Sequence, residues 1–131
     1  MGSELFLTKF ENGVGGEIPM QEMSGFIEKY GRLVETDDGK KLQELVLSDP
    51  IGECVLLHHE NGNGIGCISI SRPRESKLIK PFIFEAMQRF NIVFCDVHFE
   101  RGYTAVDLSD HLPEGSFPDG IVIVNNADEL W

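Results

Sequence analysis

The hydrophobic positions change their period several times along this chain, and each change marks an element. Over residues 3–10 they alternate on both sides of a strand. Leu5, Leu7 and Lys9 fall on one face and Phe6, Thr8 and Phe10 on the other, so both faces are expected to be largely buried. Glu11-Asn12-Gly13-Val14-Gly15-Gly16 breaks the run. Over residues 18–30 the period lengthens. Met23, Phe26, Ile27 and Tyr30 stand at i, i+3, i+4 and i+7, the core-facing stripe of a helix, with Gln21, Glu22, Glu28 and Lys29 on the wet side. Pro19 suits the first turn, where its missing N–H costs nothing, and Gly31 suits a left-handed stop.

Two hairpins follow. Residues 32–36 and 42–48 read as arms closed by Asp38-Gly39, a pair suited to a type I′ turn, although the second arm also fits a helical turn. Asp49-Pro50-Ile51-Gly52 ends that arm. Residues 53–60 and 65–71 read as arms around Asn61-Gly62-Asn63-Gly64. In the latter arm Ile68 and Ile70, with Gly66, mark the face expected to pack on a helix; Ile65, Cys67, Ser69 and Ser71 mark the other.

After a linker at 72–75, Ser76 is a candidate N-cap for a second helix running to about Phe90. Ile79, Ile83, Met87 and Phe90 form its stripe, with Phe82 and Ala86 beside it. Pro81 falls late for a first turn begun at Ser76, which moves the start towards Lys80 or makes that turn irregular. Residues 91–100 read as a strand with Val93, Cys95, Val97 and Phe99 on one face and Ile92, Phe94, Asp96 and His98 on the other. Arg101-Gly102 turns the chain, and 103–108 is expected to pair back. Residues 109–112 read as a short helical turn ended by Pro113, 115–120 as loop, 121–124 as a short apolar strand and 125–131 as a polar tail.

The resulting order is β-α-β-β-β-β-α-β-β-β. Hairpins outnumber crossovers, which points to an α+β fold: a mainly antiparallel sheet with two helices packed on one face. No repeat or linker divides residues 1–131, so a single domain is expected. The uncovered face of such a sheet is a natural interaction surface.

Charge changes the picture most. The chain holds 22 Asp and Glu against 11 Lys and Arg, a formal net charge of -11. A phosphate backbone demands clustered Lys and Arg, and the longest basic run is Lys40-Lys41, so the charge argues against nucleic acid and anionic membrane as partners; it serves either solubility alone or the steering of a basic protein. Nine Phe argue against a disordered acidic chain. No apolar stretch approaches the ~20 residues of a membrane-spanning helix, and Met1-Gly2-Ser3-Glu4-Leu5 does not open like a signal peptide. Cys54, Cys67 and Cys95, odd in number and set in apolar strands, read as reduced core thiols of a cytoplasmic protein.

Tests for chemistry are mostly negative. Gly62-Asn63-Gly64-Ile65-Gly66 leads into a strand, not a helix, and reads as a hairpin tip. Gly13-Val14-Gly15-Gly16 joins strand to helix but is flanked by Glu11 and Glu17 and lacks the Gly-Lys-Ser/Thr ending of a phosphate loop. His58-His59-Glu60 lacks a second histidine one helical turn on, and neighbouring strand histidines point to opposite faces, so no metal or cofactor is expected. Asp96 and His98 are the one candidate catalytic pair. Two apart on a strand they share a face, and Ser69, Ser71 or Cys67 on a neighbouring strand would supply a nucleophile for a small hydrolase or lyase. Asp107, Asp110, Glu114 and Asp119 gather in the loop-rich C-terminal third without the calcium-loop pattern, and form the best candidate for a negative binding patch, with Tyr103, Phe117 and Trp131 as aromatic anchors.

Ile68-Ser69-Ile70-Ser71-Arg72-Pro73, an amphipathic helix and then Asn91-Ile92-Val93-Phe94 resemble a stretch found in small bacterial proteins. So does the Glu17-Ile18-Pro19-Met20 helix ending in Tyr30-Gly31. In size and charge the chain is similar to the immunity proteins of contact-dependent and polymorphic toxin systems. That resemblance implies a cytoplasmic inhibitor that binds a basic toxin, such as a nuclease domain. The alternatives are the Asp96/His98 enzyme and a homo-oligomeric structural module.

Overall fold

Leu5 and Leu7 fix the inside of the molecule. They lie on β1 (Glu4–Glu11), the strand from which the sheet is built. The computed structural model describes residues 4–35, 42–47, 54–59, 64–71, 78–96, 98, 100–108 and 110–130. The turn expected at Asp38-Gly39, the candidate cap Ser76 and the anchor Trp131 lie outside them.

The elements run β1, β2 (Val14–Gly15), β3 (Ile18–Pro19), α1 (Met20–Ile27), β4 (Gly31–Glu35), β5 (Leu42–Leu47), β6 (Cys54–His59), β7 (Gly64–Ser71), α2 (Ile79–Phe90), β8 (Ile92–Asp96), β9 (Gly102–Thr104) and β10 (Ile121–Ile123). The sheet order is β10-β9-β8-β1-β7-β6-β5-β4, with β2 attached to β1 and β3 to β7. Every pair is antiparallel except β9 with β10, which run parallel. The fold is α+β, as the hairpin pattern predicts.

One face of the sheet carries both helices. Leu7, Leu45, Val55, Leu57, Ile68, Ile70, Ile92 and Phe94 meet the stripes of α1 and α2 in a single core. Its centre is aromatic: the Phe26 ring lies 5.4 Å from Tyr30, 5.3 Å from Phe82 and 5.3 Å from Phe90. Lys9 shares the face of Leu5 and Leu7 and reaches the end of α2, where its Nζ donates to the Phe90 carbonyl at 2.7 Å. A cation there satisfies an orphan carbonyl and opposes the helix dipole.

Three local readings change. The first helix begins at Met20, not Ile18, because Ile18 and Pro19 stay extended (Pro19 φ -55, ψ 137) and pair with Ile65 and Gly64. Gly31 opens β4 and supplies no left-handed stop; the chain leaves α1 through turn bonds such as Tyr30 N–H to the Ile27 carbonyl at 2.8 Å. In α2 the start near Lys80 that Pro81 called for holds, since the helix begins at Ile79 with Pro81 in its first turn, and the left-handed cap is Asn91 (φ 53, ψ 53). An irregularity in register after His58 pairs His59 with Ile65 and leaves Gly66 as the extra residue, which brings Ile65 to the same core as Ile68 and Ile70.

The second face is covered in part. The segment after β9 folds back over β1, β8 and β9, where Val93, Cys95, Leu108 and Phe117 form a smaller cluster edged by Phe6, Phe10, Leu112 and Ile121. The polar tail also packs. A 3₁₀ turn (Ala127–Glu129), capped by the Asn126 side chain on the Asp128 N–H at 3.0 Å, delivers Leu130 to the main core at 6% exposure.

Candidate protein-interaction surface

Acidity is unevenly spread along the chain. From Asp96 onward eight acidic residues (Asp96, Glu100, Asp107, Asp110, Glu114, Asp119, Asp128 and Glu129) stand against Arg101, a formal -7; the residues before Asp96 hold fourteen against ten, a formal -4. The sheet order turns this bias into a place. β8, β9 and β10 are consecutive at one edge, so the acid-rich segment builds that edge and the loop over it. All eight carboxylates are exposed.

The carrier of these charges is held in place. Asp119 N–H donates to the Glu100 carbonyl at 2.7 Å, Gly120 N–H to Phe117 at 2.8 Å, His111 N–H to Leu108 at 2.9 Å, and Ser116 Oγ to Pro113 at 2.7 Å. Leu108 and Phe117 peg the loop to the sheet. Phe117 is buried, 5% exposed, with its ring edge-on to Phe10 at 6.1 Å. Its backbone is left-handed (φ 52), a conformation that costs a residue with a Cβ about 1–2 kcal/mol and is retained here by burial of the ring. Phe117 is therefore a support for the loop and not the exposed anchor expected of it. Tyr103 is half-buried against the main core, its ring 5.9 Å from Phe94. The turn after β1 docks on the same loop: Gly13 N–H donates to the His111 carbonyl at 2.9 Å and Asn12 N–H to His111 Nδ1 at 3.3 Å.

Gly102 lets β10 and the loop close onto β9. A Cβ there would lie 2.6 Å from Ile121 Cδ1, 2.7 Å from Val93 Cγ1 and 3.2 Å from Phe117 Cδ1.

The acid-rich segment also holds exposed apolar side chains. Among the described residues the large ones are Val14 (63%), Val106 (36%), Val122 (40%) and Ile123 (50%). Three of the four lie inside the acid-rich segment, and Val14 follows the turn docked on His111. Val122 and Ile123, neighbours on a strand, project from opposite faces of β10 and so flank the edge on both sides. Sequence reasoning missed Val106, Val122 and Ile123, because an all-apolar strand reads as buried; a signal lay in the flanking Asp119, Asp128 and Glu129.

Asp96 and His98 are adjacent, but the structure does not bring the expected nucleophiles to them. The strand expected over 91–100 ends at Asp96, and Asp96 Oδ1 accepts the His98 N–H at 3.0 Å, so the carboxylate closes a local turn. Asp96 stands opposite Leu5, on the helix-bearing side. Cys67 and Ser69 stand opposite Thr8 and Phe6, on the other. The sheet separates the acid from the expected nucleophiles. On that second side His58 Nε2 and Ser69 Oγ meet at 2.8 Å, and Thr8 Oγ1 donates to Cys67 Sγ at 3.9 Å. Among the described residues no three His, Cys, Asp or Glu side chains converge as metal ligands, and no helix is long and apolar enough to cross a membrane. Comparisons with protein-family models, with curated proteins and with solved structures each find no match.

Proposed function

We propose that this chain is a small acidic binding protein that takes a basic protein as its partner, acting as an immunity-type inhibitor of a cationic toxin domain such as a nuclease. The observation that carries the reading is that one segment, from Asp96 onward, holds eight exposed carboxylates and three of the four exposed large apolar side chains found among the described residues, and also supplies the strands of one sheet edge. Asp107, Asp110, Glu114 and Asp119 steer the encounter, and Tyr103 lines the edge behind them. Exposed charges of this kind act mainly on association rate and specificity, while the apolar positions supply the dehydrated contact. The reading puts the protein in the cytoplasm, where such a toxin would act.

The test is the association rate with a purified cationic nuclease domain, measured by stopped flow for the chain and for the combined variant Asp107→Asn, Asp110→Asn, Glu114→Gln, Asp119→Asn. The variant should associate about tenfold or more slowly at low salt, and the difference should vanish as salt screens the charges. Equal rates and equal salt dependence would remove this surface from the reading.

A further inference from the structure

β10 stands last in the sheet order, bonded on one side only among the described residues. Its inner side is bonded to β9: Gly102 N–H donates to the Gly120 carbonyl at 3.1 Å and Val124 N–H to the Thr104 carbonyl at 2.8 Å. In a parallel pair alternate residues face the neighbour, so residues 120, 122 and 124 turn inward and Ile121 and Ile123 direct their N–H and C=O groups outward. No strand among the described residues pairs with that outer side.

This edge lacks the chemical defences of natural edges, a charge, a proline or a bulge, and is guarded only by its three-residue length. The opposite edge, β4, has Arg32 exposed on it. β10 reads Ile-Val-Ile, continued by Val124, and holds neither charge nor proline. Val122 and Ile123, exposed on its two faces, offer apolar contact to whatever lies alongside. The charges sit at its ends: Glu100 and Asp119, joined through their backbones, before it, and Asp128 and Glu129 after it. Glu129 is fixed there by accepting the Asn125 N–H at 2.5 Å. A second copy laid along β10 would bring like charges together at both ends, whereas a cationic strand would meet opposite charge.

We infer that β10 is a strand-addition site: an extended, lysine- or arginine-bearing segment of a partner protein extends the sheet by bonding to the outward groups of Ile121 and Ile123. The inference rests on the proposed binding of a basic protein and names how and where the grip occurs. Main-chain bonds give the affinity in this mode, and alternate side chains and flanking charges give the selectivity.

The test uses the full chain and a blocked peptide of alternating lysine and valine, with alternating glutamate and valine as control, read by amide hydrogen exchange in NMR spectra. At near-saturating lysine peptide the exchange of the Ile121 and Ile123 amides should slow about tenfold, and the glutamate peptide should leave it unchanged. Ile123→Pro removes an outward N–H and leaves the bonds to β9, so it should abolish binding that Ile123→Ala retains. Should the proline variant not fold, exchange on the unaltered chain decides alone. Salt-sensitive peptide binding without slowed exchange at these two amides would overturn the edge site and leave the basic-partner reading standing. Failure of both the peptide and the basic toxin domain to bind would overturn both. Slow exchange that is already present without peptide, and is lost on dilution, would show a second copy on the edge and overturn the inference.

Discussion

Gly102→Ala tests how the acidic edge is held. Non-bonded carbons prefer about 3.5–4.0 Å, and the new methyl would lie 2.6 Å from Ile121 Cδ1 and 2.7 Å from Val93 Cγ1. The two obstacles belong to strands on either side of β9, so one shift cannot relieve both. Ile121 presents the free end of a half-buried side chain and can yield. Val93 is 0% exposed and β-branched, with its rotamer fixed by the backbone. Overpacking of this kind costs about 1–3 kcal/mol. Stiffening the unfolded chain by the Gly-to-Ala change returns about 0.4–1 kcal/mol. A net loss of about 1–2 kcal/mol is expected, which lowers a urea midpoint by roughly 1 M for a chain of this size. Equilibrium unfolding followed by circular dichroism measures it. Amide exchange should show that the loss is concentrated in β9, β10 and the loop pegged by Phe117. An unchanged midpoint with unchanged exchange at this edge would refute the reasoning.

Three further outcomes follow from the core and its margins. Phe26→Ala empties the centre of the aromatic group and should cost about 3–5 kcal/mol in urea unfolding; a loss under about 1 kcal/mol would contradict the packing of a ring 0% exposed. Glu85 accepts from Lys29 Nζ at 2.7 Å and Tyr30 Oη at 2.5 Å, and these bonds, Lys29 first, hold its carboxyl below the usual range. A depressed folded value stabilises above the ordinary carboxylate range and is lost as pH falls through it, so Glu85→Gln should lower the midpoint at neutral pH and flatten its acid dependence; parallel pH profiles would refute this. Burial, then the neighbouring Cys67 and Asp96, push the Cys95 thiol up to about 12. Brief alkylation of the native chain near pH 8 should therefore leave Cys95 unmodified by mass spectrometry, and rapid labelling would show that it is reached by solvent.

Periodicity carried the parts of the fold in which one face decides burial. The stripes Met23-Phe26-Ile27-Tyr30 and Ile79-Ile83-Met87-Phe90 exist because a helix against a sheet must bury one side, and both were legible. The two faces of β1 were legible for the same reason. What failed depended on partners distant in sequence. Ile18 and Pro19 look like a helix start until Ile65 and Gly64 are seen to pair with them. Phe117 looks like an exposed loop aromatic until Phe10 is found against it, more than a hundred residues away. Asp96 and Ser69 look compatible until their pairing with Leu5 and Phe6 puts them on opposite sides of the sheet. The exposure of Asp107, Asp110, Glu114 and Asp119 was legible from their loop setting. That β10 would stand outermost was not, because strand order is set by the whole topology and not by the composition of one strand.

Leaving Ile121–Val124 at an edge has a cost that its surroundings explain. A β-branched, uncharged edge strand exposes backbone groups that another chain can bond, a hazard that the three-residue length of β10 limits. Burying it under a loop would remove the hazard and any use of the edge. Placing Glu100, Asp119, Asp128 and Glu129 at its ends takes a third course: identical molecules repel there, since each brings the same carboxylates, while the backbone groups of Ile121 and Ile123 stay free for a strand of opposite charge. The hydrophobic strand and the anionic termini thus work as one device, with attraction set by the first and selection by the second. Lysines in place of those four carboxylates would keep the edge equally apolar and equally protected against self-association, yet would turn it towards anionic partners; only the sign of the flanking charge distinguishes the two.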